Sequence, residues 1–152
     1  MKALALNFCL FLFAIAAQAQ SLNQQTVMDN YARFGQGDVP GILTTLADNV
    51  VWIHPGNPEL VSFAGTYNGP AGVGQFFEKV GASVQFLTFQ PSNFREEGNR
   101  VINDCHIEGK VLATGKTYVS DVVFTWTFGP DGKALRWEAT GDISGLEAAC
   151  TR

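Results

Sequence analysis

The second half of the chain constrains the fold most. From about residue 83 to residue 142 it runs as strand-like segments, interrupted only by the turn signals Glu97-Gly98-Asn99, Thr114-Gly115 and Gly129-Pro130-Asp131-Gly132. The spacing predicts four long strands at about 83–95, 100–112, 116–128 and 133–142. Turns this short join consecutive strands as an antiparallel meander. Every second side chain of a strand shares a face. Tyr118, Val122, Phe124, Trp126 and Phe128 therefore form one apolar row, with Asp121, Thr125 and Thr127 opposite. In the last strand Leu135, Trp137, Ala139 and Gly141 face one way and Arg136, Glu138, Thr140 and Asp142 the other. Such a sheet is half-buried, and something must cover its apolar face.

The cover lies upstream. Leu22, Val27, Tyr31 and Phe34 recur at helical spacing behind Ser21, a candidate N-cap, and Gly35-Gln36-Gly37 ends this first helix. Asp38 caps a short second helix with Pro40 in its first turn and Ile42, Leu43 and Leu46 on its apolar side. A strand from Asn49 to His54 turns Val50, Trp52 and His54 to one face before Pro55-Gly56-Asn57-Pro58 breaks it. After an extended piece at Val61 to Tyr67, Asn68-Gly69-Pro70 opens a third helix carrying Val73, Phe76, Phe77 and Val80. Helices gathered ahead of a run of strands predict an α+β domain with the helices on one face of a curved sheet. No repeat or second-domain linker is visible in the sequence.

The amino end has a different character. Met1-Lys2, the apolar stretch Ala3 to Ala17 and Ala17-Gln18-Ala19 before Gln20 follow the charged, apolar and small-residue order of a secretory signal peptide, residues 1–19. An uncleaved anchor is the alternative, although a comfortable span needs roughly 20 apolar residues. Cleavage leaves residues 20–152, one domain, in a secreted or periplasmic setting. Loss of Lys2 takes the formal charge from −4 to −5. An acidic chain without a Lys/Arg cluster offers nucleic acid and anionic lipid no footprint, so neither is expected as a partner, and no membrane span is expected after cleavage.

Cys105 and Cys150 survive cleavage, and an oxidising compartment permits them to pair as a disulfide pinning the carboxyl tail to a strand. Two separate buried thiols are the alternative, because bonding requires a Cα separation that sequence does not supply. The two histidines, His54 and His106, form no metal-ligand spacing with each other or with cysteine, so no metal is expected. No serine sits in a Gly-x-Ser-x-Gly setting, and Gly69-Pro70-Ala71-Gly72-Val73-Gly74 lacks the Lys-Ser/Thr of a phosphate loop.

The ordered series Tyr31-Ala32-Arg33, Gly37-Asp38, Leu46-Ala47-Asp48, Trp52, Pro55-Gly56, Gly65-Thr66-Tyr67-Asn68-Gly69, Phe76-Phe77, Asp131-Gly132-Lys133 and Asp142 resembles the SnoaL-like, ketosteroid-isomerase-related proteins of the nuclear transport factor 2-like superfamily. The resemblance covers about residues 24–149. It implies a cone-shaped barrel of a strongly bent, mainly antiparallel sheet wrapped around three helices of the N-terminal half, and a homodimer formed through the sheet. It does not imply one function, because this fold hosts isomerases, cyclases, hydrolases, dehydratases and binding modules.

In the ketosteroid isomerases a carboxylate just before a proline on the first strand is the general base, and the matching position is His54. A neutral imidazole can move a proton in its place. The isomerases' second half, a tyrosine and a protonated acid forming an oxyanion hole, falls at Asn30, one residue from Tyr31, and at Phe124. Asp142 can orient His54 or cap the chain's exit from the sheet. His106 alternates with Asp104 and Glu108 on a solvated face, and Asp121 and Glu138 belong to the polar side.

Tyr31, Trp52, Phe76, Phe77, Phe124, Trp126 and Trp137 are the candidate wall of an apolar pocket, some needed as core in any domain of this size. The leading expectation is an exported protein that binds a small apolar molecule without a cofactor, with proton transfer or water addition at His54. The rival is a non-catalytic exported module for dimerisation or protein interaction. A cavity of roughly 300 Å³ or more with His54 or Asp142 at its wall marks the first. Interdigitated aromatics without such a void mark the second.

Overall fold

The structure, a computed structural model, describes residues 22–152. The leader and Ser21 lie outside the described residues. The element order is α1 (22–35), α2 (Val39–Leu43), β1 (Leu46–His54), β2 (Gly65–Asn68), α3 (Gly69–Ser83), β3 (Val84–Glu97), β4 (Arg100–Val111), β5 (Thr117–Phe128), β6 (Ala134–Gly141) and α4 (Ser144–Cys150). Pro70 opens α3, where a missing N–H is harmless, and Asp38 Oδ1 accepts the Gly41 N–H at 3.0 Å to start α2.

The strands form one six-stranded sheet in the order β2-β1-β6-β5-β4-β3. β3 to β6 make the expected meander, with a register that runs without interruption along β4 and β5. The pairing of β1 with β6 is parallel, which the meander reading did not foresee. Bulges in β1 near Leu46/Val51, in β3 at Phe86/Thr88 and Ser92/Arg95, and between β5 and β6 bend the sheet into a cone. The sheet does not close as a barrel: β2 and β3 remain its edges, and α3 packs on β1 and β2 and reaches β3.

Three sequence expectations change. Leu46 is the first residue of β1 rather than part of α2, because Thr44 and Thr45 donate their hydroxyls back to Gly41 O and Ile42 O and end the helix. Leu135 is the extra residue of the β6 bulge and is half-buried, while Ala134 takes the inward place opposite Phe128. The carboxyl end is a helix, α4, rather than plain exit from the sheet. Seven residues are too few to display helical periodicity, yet Leu146 and Ala149 bury one side of it against β5 and β4.

Inward residues stack in rows across the strands. Trp52, Trp137, Trp126 and Val101 form a floor, with Trp52 and Trp137 stacked at 4.4 Å and Trp126 edge-on to Trp52 at 5.4 Å. Above it lie Ala139, Phe124 and Asn103, then Gly141, Val122 and Cys105, then Ser120, Ile107 and Phe89. Tyr118 lies over Gly109, where a Cβ would meet its ring at 2.6 Å. Deleting a ring from the floor removes both area and packing, so Trp137→Ala is expected to cost about 3–5 kcal/mol. Glu138→Ala, on the outer face, should stay within about 0.5 kcal/mol. Urea unfolding checks both, and equal losses would contradict the assignment of faces.

Candidate functional site

The middle rows are where the interior runs short of atoms. Phe124 and Val122 of β5 line it between the tryptophan floor and the upper rings, while their β6 partners Ala139 and Gly141 carry almost no side chain. Gly141 cannot be larger, because at φ 130° a Cβ would meet Asp121 O at 3.0 Å. The result is a cavity of about 90 Å³. Tyr31, Trp52, Phe76, Phe77, Phe124, Trp126 and Trp137 all line it, with His54. An open groove of about 450 Å³ beside Gly35, Val39 and Pro91 shares the walls Tyr31, Phe34, Phe77, Val80, Phe86 and Phe89 with it. The inner volume is below that of typical ligand sites, about 300–1,000 Å³.

Wall residues that sequence reasoning missed have identifiable reasons. Phe86 and Phe89 are three apart, so only the intervening bulge brings both inward. Ile143 and Leu146 come with α4 and its approach. Ser120 was legible, since it falls on the inward parity of Tyr118 and Val122.

His54 ends β1, half-buried, with its ring edge-on to Phe63 at 4.9 Å. Its Nδ1 lies 2.8 Å from Pro55 O. A carbonyl only accepts, so Nδ1 carries the hydrogen and the neutral ring keeps its lone pair on Nε2. Burial pulls the imidazole down to about 4, against a smaller opposing effect of the Pro55 carbonyl. That is the range of ordinary carboxylates.

Tyr31 Oη accepts the Trp126 indole N–H at 2.9 Å and donates to Asn103 Oδ1 at 2.7 Å. Burial raises its hydroxyl well above the usual tyrosine range. The phenol is thus a neutral link in a fixed chain, with its one hydrogen already committed. Asn30 is also engaged, donating to Thr45 Oγ1 and accepting from Arg33. Among the described residues no carboxylate lines the cavity, so an oxyanion hole of tyrosine plus protonated acid is not assembled.

Asp142 is exposed, and hydrogen bonding from the Ser144 side chain and from the Ser144 N–H, the latter at 2.9 Å, holds its carboxyl below the usual range. It shapes the entry to α4 and makes no contact that would orient His54. Cys105 and Cys150 are free thiols, which corrects the candidate disulfide. Thr114 Oγ1 donates to Ala149 O at 2.6 Å, which puts the end of α4 beside the β4–β5 turn, and Val111 at the end of β4 is six residues from Cys105. That is about 20 Å of strand, whereas bonding needs Cα atoms within about 7 Å. Burial pushes the Cys105 thiol up to about 12.

On the outer face His106 Nδ1 meets Asp121 Oδ1 at 2.6 Å and Nε2 meets Glu108 Oε1 at 3.4 Å, and the Asp121 hydrogen bond raises its titration above the ordinary 6.5. Glu138 pairs with Arg136 there. Among the described residues no group of three or more His, Cys, Asp or Glu side chains could hold a metal ion, and no helix is long and apolar enough to cross a membrane.

The two histidines shift in opposite directions, which fixes a pH signature. With His54 lowered from 6.5 to about 4, the unfolded chain binds more protons between those values. Its contribution is full above pH 6.5 and is lost as pH falls toward 4, by about 3 kcal/mol. His106 works the other way, its contribution present below 6.5 and lost as pH rises through its raised folded value. Histidine ring NMR should show one ring neutral down to about pH 4 and one titrating above 6.5. Two midpoints near 6.5 would contradict the burial of His54.

The family model of the SnoaL-like domain matches residues 27–137. Similar solved structures include an NTF2-like protein from Burkholderia pseudomallei K96243, at 27% identity and TM-score 0.78 over 86% of this chain and 98% of that one. Another, from Burkholderia xenovorans LB400, has 29% identity and TM-score 0.78 over 87% and 98%. TerC, co-crystallized with polyporic acid, has 31% identity and TM-score 0.74 over 85% and 98%. No curated protein matches the chain. With the bent mixed sheet and its covering helices, the extent of these matches means that this chain belongs to the SnoaL-like domain family of the NTF2-like superfamily.

Proposed function

We propose that this is an exported SnoaL-like domain that binds a small, largely apolar molecule inside the cone, with His54 transferring a proton on it or activating water for addition. The observation that carries the reading is a neutral histidine at the wall of a cavity otherwise lined mostly by apolar side chains. A base whose conjugate acid titrates near 4 stays free at neutral pH, and Nδ1 anchored on Pro55 O fixes which nitrogen takes the proton. TerC, at 31% identity, makes polyporic acid a rational first probe. The inner void of about 90 Å³ suits a small or flat molecule, and yielding of the shared phenylalanines would join it to the outer groove.

A second reading, an exported dimerisation or interaction module without catalysis, is supported by that same small volume. It is also supported by the outer sheet face, where Val119 is 54% and Leu87 55% exposed beside the His106–Asp121 pair. In this reading the aromatics are core, and the face of β3 to β5 meets a second copy.

The test expresses residues 1–152 in a secreting bacterium, confirms Gln20 as the mature first residue by mass, and measures thermal shifts. The probes are polyporic acid, sterols, terpenoids, aromatic acids and fatty acids. Binding to the native state alone stabilises it by about 2.7 kcal/mol at a hundredfold excess over Kd. The expected result is a concentration-dependent rise that weakens in His54→Ala and disappears in Val122→Phe, whose ring occupies the void. No shift with any class, together with a dimer in sedimentation, would instead establish the module.

A further inference from the structure

Polar groups inside this domain are paired almost without exception. Tyr31, Trp126, Asn30 and Asn103 all make side-chain hydrogen bonds. Among the described residues three buried side-chain atoms have no partner: Trp52 Nε1, Ser120 Oγ and Glu96 Oε1. Glu96 is not part of the cavity wall, but Trp52, 2% exposed, and Ser120, 4% exposed, both are.

The placement of Ser120 is fixed by register. It pairs with Ile107 on β4 and lies between the inward Tyr118 and Val122, three further wall residues. The hydroxyl therefore faces an environment of rings and aliphatic groups. A buried hydroxyl or indole N–H without a partner is destabilising, and alanine at 120 or phenylalanine at 52 would avoid it. Of the three unpaired atoms these two belong to residues of the cavity wall, Trp52 in its floor and Ser120 in its upper part.

Resting on the reading of that cavity as a ligand chamber, we infer that the Ser120 hydroxyl is its specificity-determining contact. It selects a flat apolar molecule bearing an oxygen acceptor, such as a ring ketone, over the corresponding hydrocarbon, because a hydroxyl can donate to that oxygen. Trp52, level with Trp126 and six residues of strand below Ser120, is too far away to share the same oxygen. The Ser120 hydrogen bond is made only when ligand is present.

The sign of the test is sharp, because a wholly apolar chamber favours the hydrocarbon: a ketone gives up more hydration on entry. Isothermal titration with 1-indanone and with indane compares the two. The mature wild-type protein should bind 1-indanone at least about tenfold tighter than indane. Ser120→Ala should cut that preference about five- to tenfold, leave indane binding unchanged and melt no lower than wild type. Ser120→Thr should retain the preference. Indane binding as tightly as 1-indanone, or a preference untouched in Ser120→Ala, overturns the assignment while leaving the chamber as a binding site. Binding of neither removes the chamber reading and the assignment together.

Discussion

Trp52 on β1 and Trp137 on β6 stack at 4.4 Å across a parallel strand pair, and Trp126 on β5 stands edge-on against Trp52 at 5.4 Å. The protein's three tryptophans thus meet in one layer, tying the first strand of the chain to the last two. Parallel pairing of β1 with β6 is what brings the end of β1 over the concave side of the meander. Without that layer nothing would hold His54 at the wall of an aromatic interior, and the helices before β1 would have no floor to cover. Aromatic burial of this size dominates the packing energy of a small domain.

The tryptophan layer also sets the chemistry. Large rings below and phenylalanines above, with Val122 and Phe124 between, surround a space whose walls are nearly all carbon. Low polarity there disfavours the imidazolium, so His54 is a free base at neutral pH. The Tyr31 hydroxyl, caught between Trp126 and Asn103, is an anchor for the layer more than a donor to a reactant. An acid-base site of the ketosteroid isomerase kind would need a second polar group opposite the base. What the cavity offers instead is the unpaired hydroxyl of Ser120 and the indole of Trp52.

Much of this was legible in the sequence, for physical reasons. Long strands with short turns leave few topologies, so the meander, its faces and the rows through Phe124, Trp126 and Trp137 follow from alternation alone. Asp38 before Pro40 and Gly69-Pro70 mark helix starts through local backbone chemistry. What was not legible depends on tertiary position. A bulge reverses parity, which hid Phe86, Phe89 and Ala134. A seven-residue helix lacks the length to announce itself, which hid the covering role of Leu146. The separation of Cys105 from Cys150 and the capping role of Asp142 are distances, and distances follow only from the assembled fold.

A ligand site exists here only if the interior is a chamber rather than a filled core, and the indole N–H signals of Trp52, Trp126 and Trp137 report on that directly. The measurement is a two-dimensional NMR titration of the mature protein with polyporic acid. Ligand entering the chamber should move the Trp52 indole signal saturably, with the amides of outer-face residues Val119 and Asp121 unmoved. Indole signals that stay in place while the Val119 and Asp121 amides shift would contradict it and place recognition on the sheet face.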